Sequence, residues 1–307
     1  MKTVKFFIVR TINVFHRTVY ILAKSLGYIP YTFTKGKLFF SYVFVKKNLI
    51  HTAELNNPSV RWEDVDENLQ KQFLLNGNSK LIKKHIEEIE KIEFNYEKKL
   101  INKFIKKANK NFNFYYGQTD KFLFECLKKY PIKNKDVAIM GSTVPWYEAI
   151  VLSNSGKPFT FEYNSIQTND PRLETYAFAE WGNKFRKFDI VISISSFEHD
   201  GLGRYGDPIN PNGDFEAMAN VQNNLIDENG FLILSVPIGK DSVAFNAHRI
   251  YGKNRFFKLI NGFDIVETFG FEESQFERFK ESGNISTKKD SDWPFQPIFV
   301  LKINKSH

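Results

Sequence analysis

DVAIMGSTVPWYEAIVLSNSGKPFTFEYN, residues 136–164, decides the fold. Asp136–Met140 is a short apolar run that stops at a glycine, the pattern of a buried strand. Gly141-Ser142-Thr143-Val144-Pro145 reads as a turn, WYEAIVLSN (146–154) as a helix and KPFTFEY (157–163) as a second strand. Two strands joined through a helix form a βαβ unit, which requires a parallel sheet. The alternation continues along the chain. RLETYAF (172–178) is a weaker third strand, AEWGNKF (179–185) one helical turn and FDIVISI (188–194) a strong fourth strand. DFEAMANVQNNLI (214–226) is a helix and GFLILSV (230–236) a fifth strand. FDIVETFGF (263–271) and QPIFVLKI (296–303) close the series, and their late, β-rich character predicts a terminal antiparallel pair. The expected domain spans residues 115–307 and is of the α/β class.

Two segments of different character precede it. Residues 1–60 form a basic amphipathic extension, with Arg10, Arg17 and Lys24 at seven-residue spacing near one helix face. YIPYTFTKGKLFFSYVFVKKNLI (28–50) then mixes aromatics with Lys35, Lys37, Lys46 and Lys47. Such a segment either packs as an extra helix on the core, the favoured expectation, or makes peripheral membrane contact through residues 1–50. Residues 61–114 are charge-dense. Ile82, Ile86, Ile89, Leu100, Ile101, Phe104 and Ile105 are mostly three or four apart, which predicts a long helix or helical hairpin with a solvated Lys/Glu face. Aromatic and basic residues do not interleave there, so no nucleic-acid partner is expected.

The bulk composition sets outer limits. The 307 residues can bury one large core or two modest ones. A net charge of +8 attracts phosphates, anionic lipids or nucleic acid without choosing among them. The single cysteine, Cys126, excludes an internal disulfide framework and a four-cysteine zinc site. Its setting, KFLFECLKKY (121–130), is an amphipathic helix, so a buried core thiol is expected, consistent with a cytoplasmic protein. Lys5, Arg10, Arg17 and Lys24 interrupt the apolar start, which argues against a secretory signal and a transmembrane helix.

Ligands of open α/β sheets bind beyond the carboxyl ends of the strands, at the switch in strand order. Residues just after each strand are therefore the candidates. After the first strand, Gly141 allows a tight turn, and Ser142 and Thr143 can donate hydrogen bonds. One glycine is not a G-x-G-x-x-G fingerprint. After the second strand, Glu162 stands about 20 residues beyond Gly141, where a carboxylate accepts from a ribose diol. After the third, Glu180 or Trp181 could meet an adenine. After the fourth comes SSFEHDGLGRYGDPINPNGD (195–214), with Glu198, His199, Asp200, Arg204, Tyr205 and Asp207 among four glycines. His199 is the candidate general base, with Asp200 to orient it. Arg204 can grip a carboxylate or phosphate, with Tyr205 and Asp207 beside it. After the fifth strand, His248 and Arg249 reach the same edge. His199, Asp200, Asp207 and His248 mix imidazole with carboxylate, yet match no standard metal spacing, and no metal is expected.

SSFEHDGLGRYGDPINPNGD, followed by SVPIGKD and FNAHRIYG, resembles the signature of the Caenorhabditis-type protein family of unknown function, which also occurs in bacteria. The resemblance runs from Val137 to Phe271. The family is itself similar to class I S-adenosylmethionine-dependent methyltransferases, where a strand, a short histidine-bearing loop, a helix and an SVP strand recur. Here these are ISISSFEH and ENGFLILSVP. The resemblance implies a Rossmann-like class I methyltransferase sheet, mostly parallel with an antiparallel terminal pair, behind an α-helical N-terminal extension. It implies S-adenosylmethionine as cofactor, with Gly141, Ser142 and Thr143 facing the methionine part, Glu162 the ribose and Ser195 the same ligand. The expected activity is methyl transfer to a small-molecule or glycan acceptor, with His199 as base, His248 in reserve and Asp200 assisting. Arg204, Tyr205, Asp207 and Arg249 would hold the acceptor. The alternatives are a catalytically inactive Rossmann-like scaffold at the membrane surface and a metal-dependent sugar-modifying enzyme.

Overall fold

The computed structural model describes residues 16–35, 39–46, 50–52, 59–83, 86, 92–177, 187–279 and 296–304. After a helix at 16–25, α1, the elements run β1 (Tyr28–Lys35), β2 (Phe39–Lys46), β3 (Ile50–Thr52), α2 (Glu67–Phe73), β4 (Lys80–Lys83), β5 (Ile92–Tyr96), α3 (Lys98–Ala108) and α4 (Gln118–Lys129). The sheet domain follows as β6 (Asp136–Met140), α5 (Trp146–Ser153), β7 (Lys157–Glu162), β8 (Ile166–Thr168), β9 (Glu174–Ala177), β10 (Phe188–Ile194), α6 (Gly213–Asn220) and β11 (Ile226–Ser235). It ends with β12 (Ser242–Phe245), β13 (His248–Ile250), α7 (Lys253–Leu259), β14 (Phe263–Phe269) and β15 (Ile298–Ile303).

The seven-stranded sheet has the order β9-β7-β6-β10-β11-β15-β14. Numbered within the sheet this is 3-2-1-4-5-7-6. The β9-β7-β6-β10-β11 pairings are parallel, and β15 runs antiparallel to both β11 and β14. This is the Rossmann-like class I methyltransferase sheet, with its antiparallel terminal strand. Because strand side chains alternate between faces, Val137 and Ile139 of β6 join Ile190, Ile192 and Ile194 of β10 in a core under α3, α4 and α5. Ala138 and Met140 enter the opposite core, with Phe161, Val221, Leu225, Phe256 and Leu259. Burial on both faces is why the central strands read as nearly continuous apolar runs. Cys126 sits inside the first of these cores, as expected, and burial pushes its thiol up to about 12.

The structure corrects the reading of the first 114 residues in two places. The extension is not purely helical. Tyr28–Lys35 and Phe39–Lys46 pair in an antiparallel hairpin. Phe33 of that hairpin is fully buried against Phe104, Phe114 and Trp146, so the segment packs on the core as an integral layer. Residues 79–110 are not one long helix. Lys80–Lys83 pairs parallel with β12, and Ile92–Tyr96 pairs with β3 and β8; among the described residues of this stretch, Lys98–Ala108 forms the helix. Isoleucine is as suited to a strand as to a helix, and pairing partners distant in sequence decide between them. Residues 1–15, with most of the membrane-contact segment's apolar start, lie outside the described residues, as does 178–186 with the expected helical turn. Among the described residues, no helix is long and apolar enough to cross a membrane.

Candidate active site

The switch in strand order falls between β6 and β10, and β7 flanks β6. The carboxyl ends of these three strands bring the sequence's main candidates to one edge. Gly141 ends β6 with φ +72, and a Cβ there would lie 2.2 Å from the Ser196 hydroxyl oxygen, so only glycine fits. Its amide donates to the Phe161 carbonyl at 2.8 Å, tying the turn to β7. Glu162 ends β7. Its Oε2 accepts the Ser142 amide at 2.7 Å and its Oε1 the Tyr163 amide at 2.9 Å, with a longer contact to Asn164. Burial outweighs these bonds and pushes the Glu162 carboxyl up to about 7.

Ser142 is buried and committed internally. Its hydroxyl donates to the Val144 carbonyl at 3.2 Å, and the Tyr96 hydroxyl donates to the Ser142 carbonyl at 2.6 Å. Its side chain therefore braces the turn, a different task from the ligand contact expected of it. Thr143 is exposed at the rim. Glu180 and Trp181 lie outside the described residues.

The loop after β10 folds tightly on itself. Ser195 takes φ +53 and its amide donates to the Ser235 carbonyl at 2.9 Å. Its hydroxyl bonds Glu198, and Gln296 donates to it at 3.1 Å. His199 Nδ1 lies 2.6 Å from the Ala247 carbonyl oxygen. A carbonyl only accepts, so this bond places the neutral ring's proton on Nδ1 and its lone pair on Nε2. Nε2 lies 3.7 Å from Glu198 Oε1, and the ring packs edge-on to Tyr205 at 5.7 Å and His248 at 6.5 Å. Arg204 lies over the Tyr205 ring, 5.0 Å from its centre, and donates to the Ala247 carbonyl at 3.3 Å. His199, Arg204, Tyr205 and His248 thus form one group. Asp200 is partly buried, and burial with Asp207 nearby raises its carboxyl well above the ordinary range. His199 is oriented by the Ala247 backbone carbonyl, not by Asp200.

Two expected acceptor-binding residues serve the scaffold. Asp207 accepts the amides of Gly203 and Tyr205 at 3.0 and 3.1 Å, closing the loop's own turn. Arg249 is 0% exposed. Its guanidinium donates to the carbonyls of Glu198, Asp200, Asn210 and Pro211, and its Nε lies 3.8 Å from Asp214. It is an internal strut that shapes the loop, without reach into the cleft. Asp214 and Arg255, which sequence reasoning missed, complete the strut. Arg255 Nε and Nη2 donate to Asp214 at 2.8 and 2.6 Å, and Tyr251 donates at 3.0 Å. Burial opposes the Asp214 charge, but Arg249 and Arg255 overcome it and hold its carboxyl below the ordinary range. Among the described residues no group of three or more His, Cys, Asp or Glu could hold a metal ion.

The fold is a Rossmann-like α/β sheet in the strand order of class I methyltransferases. Residues 134–302, more than half of the chain, match the family described as Caenorhabditis protein of unknown function, DUF268, and the chain belongs to that family. Among solved structures, it is similar to a Burkholderia thailandensis 1,6-didemethyltoxoflavin-N1-methyltransferase with bound 1,6-didemethyltoxoflavin and S-adenosylhomocysteine. Identity is 11%, coverage 66% of this chain and 79% of that one, and the TM-score 0.42. It is also similar to an S-adenosylmethionine-dependent methyltransferase from Clostridium acetobutylicum, at 13% identity, 60% and 90% coverage and a TM-score of 0.36. The CcbJ methyltransferase from Streptomyces caelestis matches at 9% identity, 60% and 90% coverage and a TM-score of 0.35. No curated protein matches the sequence.

Proposed function

We propose that this protein transfers a methyl group from S-adenosylmethionine to a small-molecule or glycan acceptor. The observation that carries the reading is the Glu162 carboxylate, fixed by backbone amides beside the glycine turn at the strand-order switch. The residues fit this cofactor. Gly141 permits close backbone approach, and Glu162 Oε2, accepting one amide, keeps a second lone pair for a ribose hydroxyl. When bound, S-adenosylmethionine supplies an electrophilic methyl group on a sulfonium centre. Glu162 would hold the ribose, while the backbone of Gly141, Ser142 and Thr143 would line the methionine part.

His199 would act as the base, with Ala247 holding its ring so that Nε2 takes the proton from an acceptor hydroxyl or amine. Arg204 and Tyr205, stacked beside it, would position an anionic or ring-bearing acceptor. One observation favours the rival reading of a binding protein without turnover: the Ser142 amide and hydroxyl are both spent inside the protein.

Calorimetric titration with S-adenosylmethionine and S-adenosylhomocysteine separates the two. Methyl transfer expects micromolar binding, abolished by Glu162→Ala. Folded protein that gives no heat with either ligand overturns methyl transfer in favour of the scaffold.

A further inference from the structure

Beside Gly141, between the ends of β10 and β15, lies a group of buried polar side chains that the reading above does not use. β15 is antiparallel, so the residues leading into it, including Gln296, enter at the ligand edge of the sheet. Thr119 holds this entry by donating to the Gln296 carbonyl at 2.7 Å. Ser195 organises the rest. Its hydroxyl bonds Glu198 Oε1 and accepts from Gln296 Nε2, and the Tyr116 hydroxyl bonds Ser195 as well. These bonds fix which atom of each side chain is left over.

Glu198 is 0% exposed, Gln296 5% and Tyr147 7%. Glu198 Oε2, Gln296 Oε1 and the Tyr147 hydroxyl are all buried without a hydrogen-bond partner. A buried polar atom left unbonded costs about 1–3 kcal/mol, and more when charged. Tyr147 lies within electrostatic reach of Glu198 and Tyr116, so the three stand together, and three such atoms at one ligand edge call for a ligand. Two of the three, a carboxylate oxygen and an amide carbonyl, can only accept when Glu198 is ionised, and the hydroxyl can do either. The ligand group that satisfies all three carries several N–H donors and a positive charge.

Spacing identifies that group. β7 and β10 flank β6, so the ends bearing Glu162 and Ser195 are two strand intervals apart, roughly 10 Å. From the ribose ring of S-adenosylhomocysteine to its amine is a chain of six bonds, roughly 7 Å when extended. A nucleoside whose diol sits on Glu162 thus delivers its tail amine to the end of β10, across the turn that only glycine can make. Resting on the methyltransferase reading, we propose that Glu198, Gln296 and Tyr147 form the subsite for the primary ammonium of the cofactor's α-amino-acid tail.

The test compares S-adenosylhomocysteine with 5′-methylthioadenosine, which keeps the nucleoside and thioether but lacks the amino-acid tail. Calorimetry on the full chain should give wild-type protein at least about a tenfold preference for S-adenosylhomocysteine. Glu198→Gln and Gln296→Leu should each weaken S-adenosylhomocysteine by about tenfold and leave 5′-methylthioadenosine unchanged, which also reports that each variant is folded. An unchanged preference in Glu198→Gln, with S-adenosylhomocysteine still bound, overturns the subsite. Equal weakening of both ligands overturns it too, since the residues would then act on the scaffold alone. Folded wild-type protein that binds neither nucleoside overturns the methyltransferase reading itself.

Discussion

Replacing Arg249 with methionine distinguishes a strut from a substrate ligand, and the structure sets the size of the effect. Arg249→Met does not strand Asp214, because Arg255 keeps its bonds at 2.6 and 2.8 Å. Nor does it open a large void, since methionine refills much of the stem's volume. What is lost is the set of donors to the loop carbonyls. Two of these bonds, to Glu198 and Pro211, are long at 3.4 Å and count for little. The bonds to Asp200 and Asn210 are the substantial ones. At about 1.5–3 kcal/mol for a charged donor, they sum to roughly 3–6 kcal/mol. Relief of repulsion between the two buried guanidiniums subtracts from this, so the expected loss is about 3–4 kcal/mol. Urea unfolding followed by circular dichroism measures it, and a domain stable by about 5–15 kcal/mol stays folded enough for the comparison. Asp214→Asn should be worse, because it leaves both guanidiniums without their carboxylate. Arg204→Met, at the half-buried end of the group, should lose about 1 kcal/mol or less. An Arg249→Met protein as stable as wild type, or one no weaker than Arg204→Met, refutes the strut and restores Arg249 to the cleft.

Two further expectations concern pH and the N-terminal hairpin. Asp120, Glu148, Glu162 and Glu198 are buried, and burial pushes each carboxyl up to about 7, against roughly 4 in an unfolded chain. The folded state therefore binds more protons between these values, and stability falls as pH rises from about 4 through 7. Arg204 and Arg249 partly oppose this at Glu198, while Glu162 reinforces it at Glu148. Tm should be lower at pH 8 than at pH 6, and a Tm that rises over that interval contradicts the burial argument. Phe33→Ala should cost about 3–5 kcal/mol, because the ring is enclosed by Phe104, Phe114 and Trp146. Unfolding at the wild-type urea midpoint would mean that the hairpin does not belong to the core.

The central strands were legible because both faces of each are covered. DVAIM and FDIVISI bury side chains alternately in two cores, and their short length, β-branched residues and following turns favour strands over helices. The antiparallel terminal pair was legible from order alone. SKLIKKHIEEIEKIEFNY was misread because its isoleucines satisfy helix spacing, while the strands they enter pair with Ser242–Phe245 and Ile166–Thr168, far along the chain. Local sequence carries no trace of such partners.

The same distinction governs the site. Gly141 and Glu162 stand at the ends of β6 and β7 and His199 in the loop after β10, so the strand-end rule finds them. Arg249 also follows the rule in sequence, yet burial turns it inward, and Asp214 and Arg255 lie in helices that the rule does not search. Gln296 is the instructive case. It precedes a strand, which for a parallel strand would put it at the wrong edge. Since β15 is antiparallel, its start is the ligand edge. The antiparallel strand expected from sequence therefore already implied that residues before it, not after it, would lie at the ligand edge of the sheet. Combining strand direction with the strand-end rule puts Gln296 at the same edge of the sheet as Ser195, and the rule applies to any sheet whose last strand reverses.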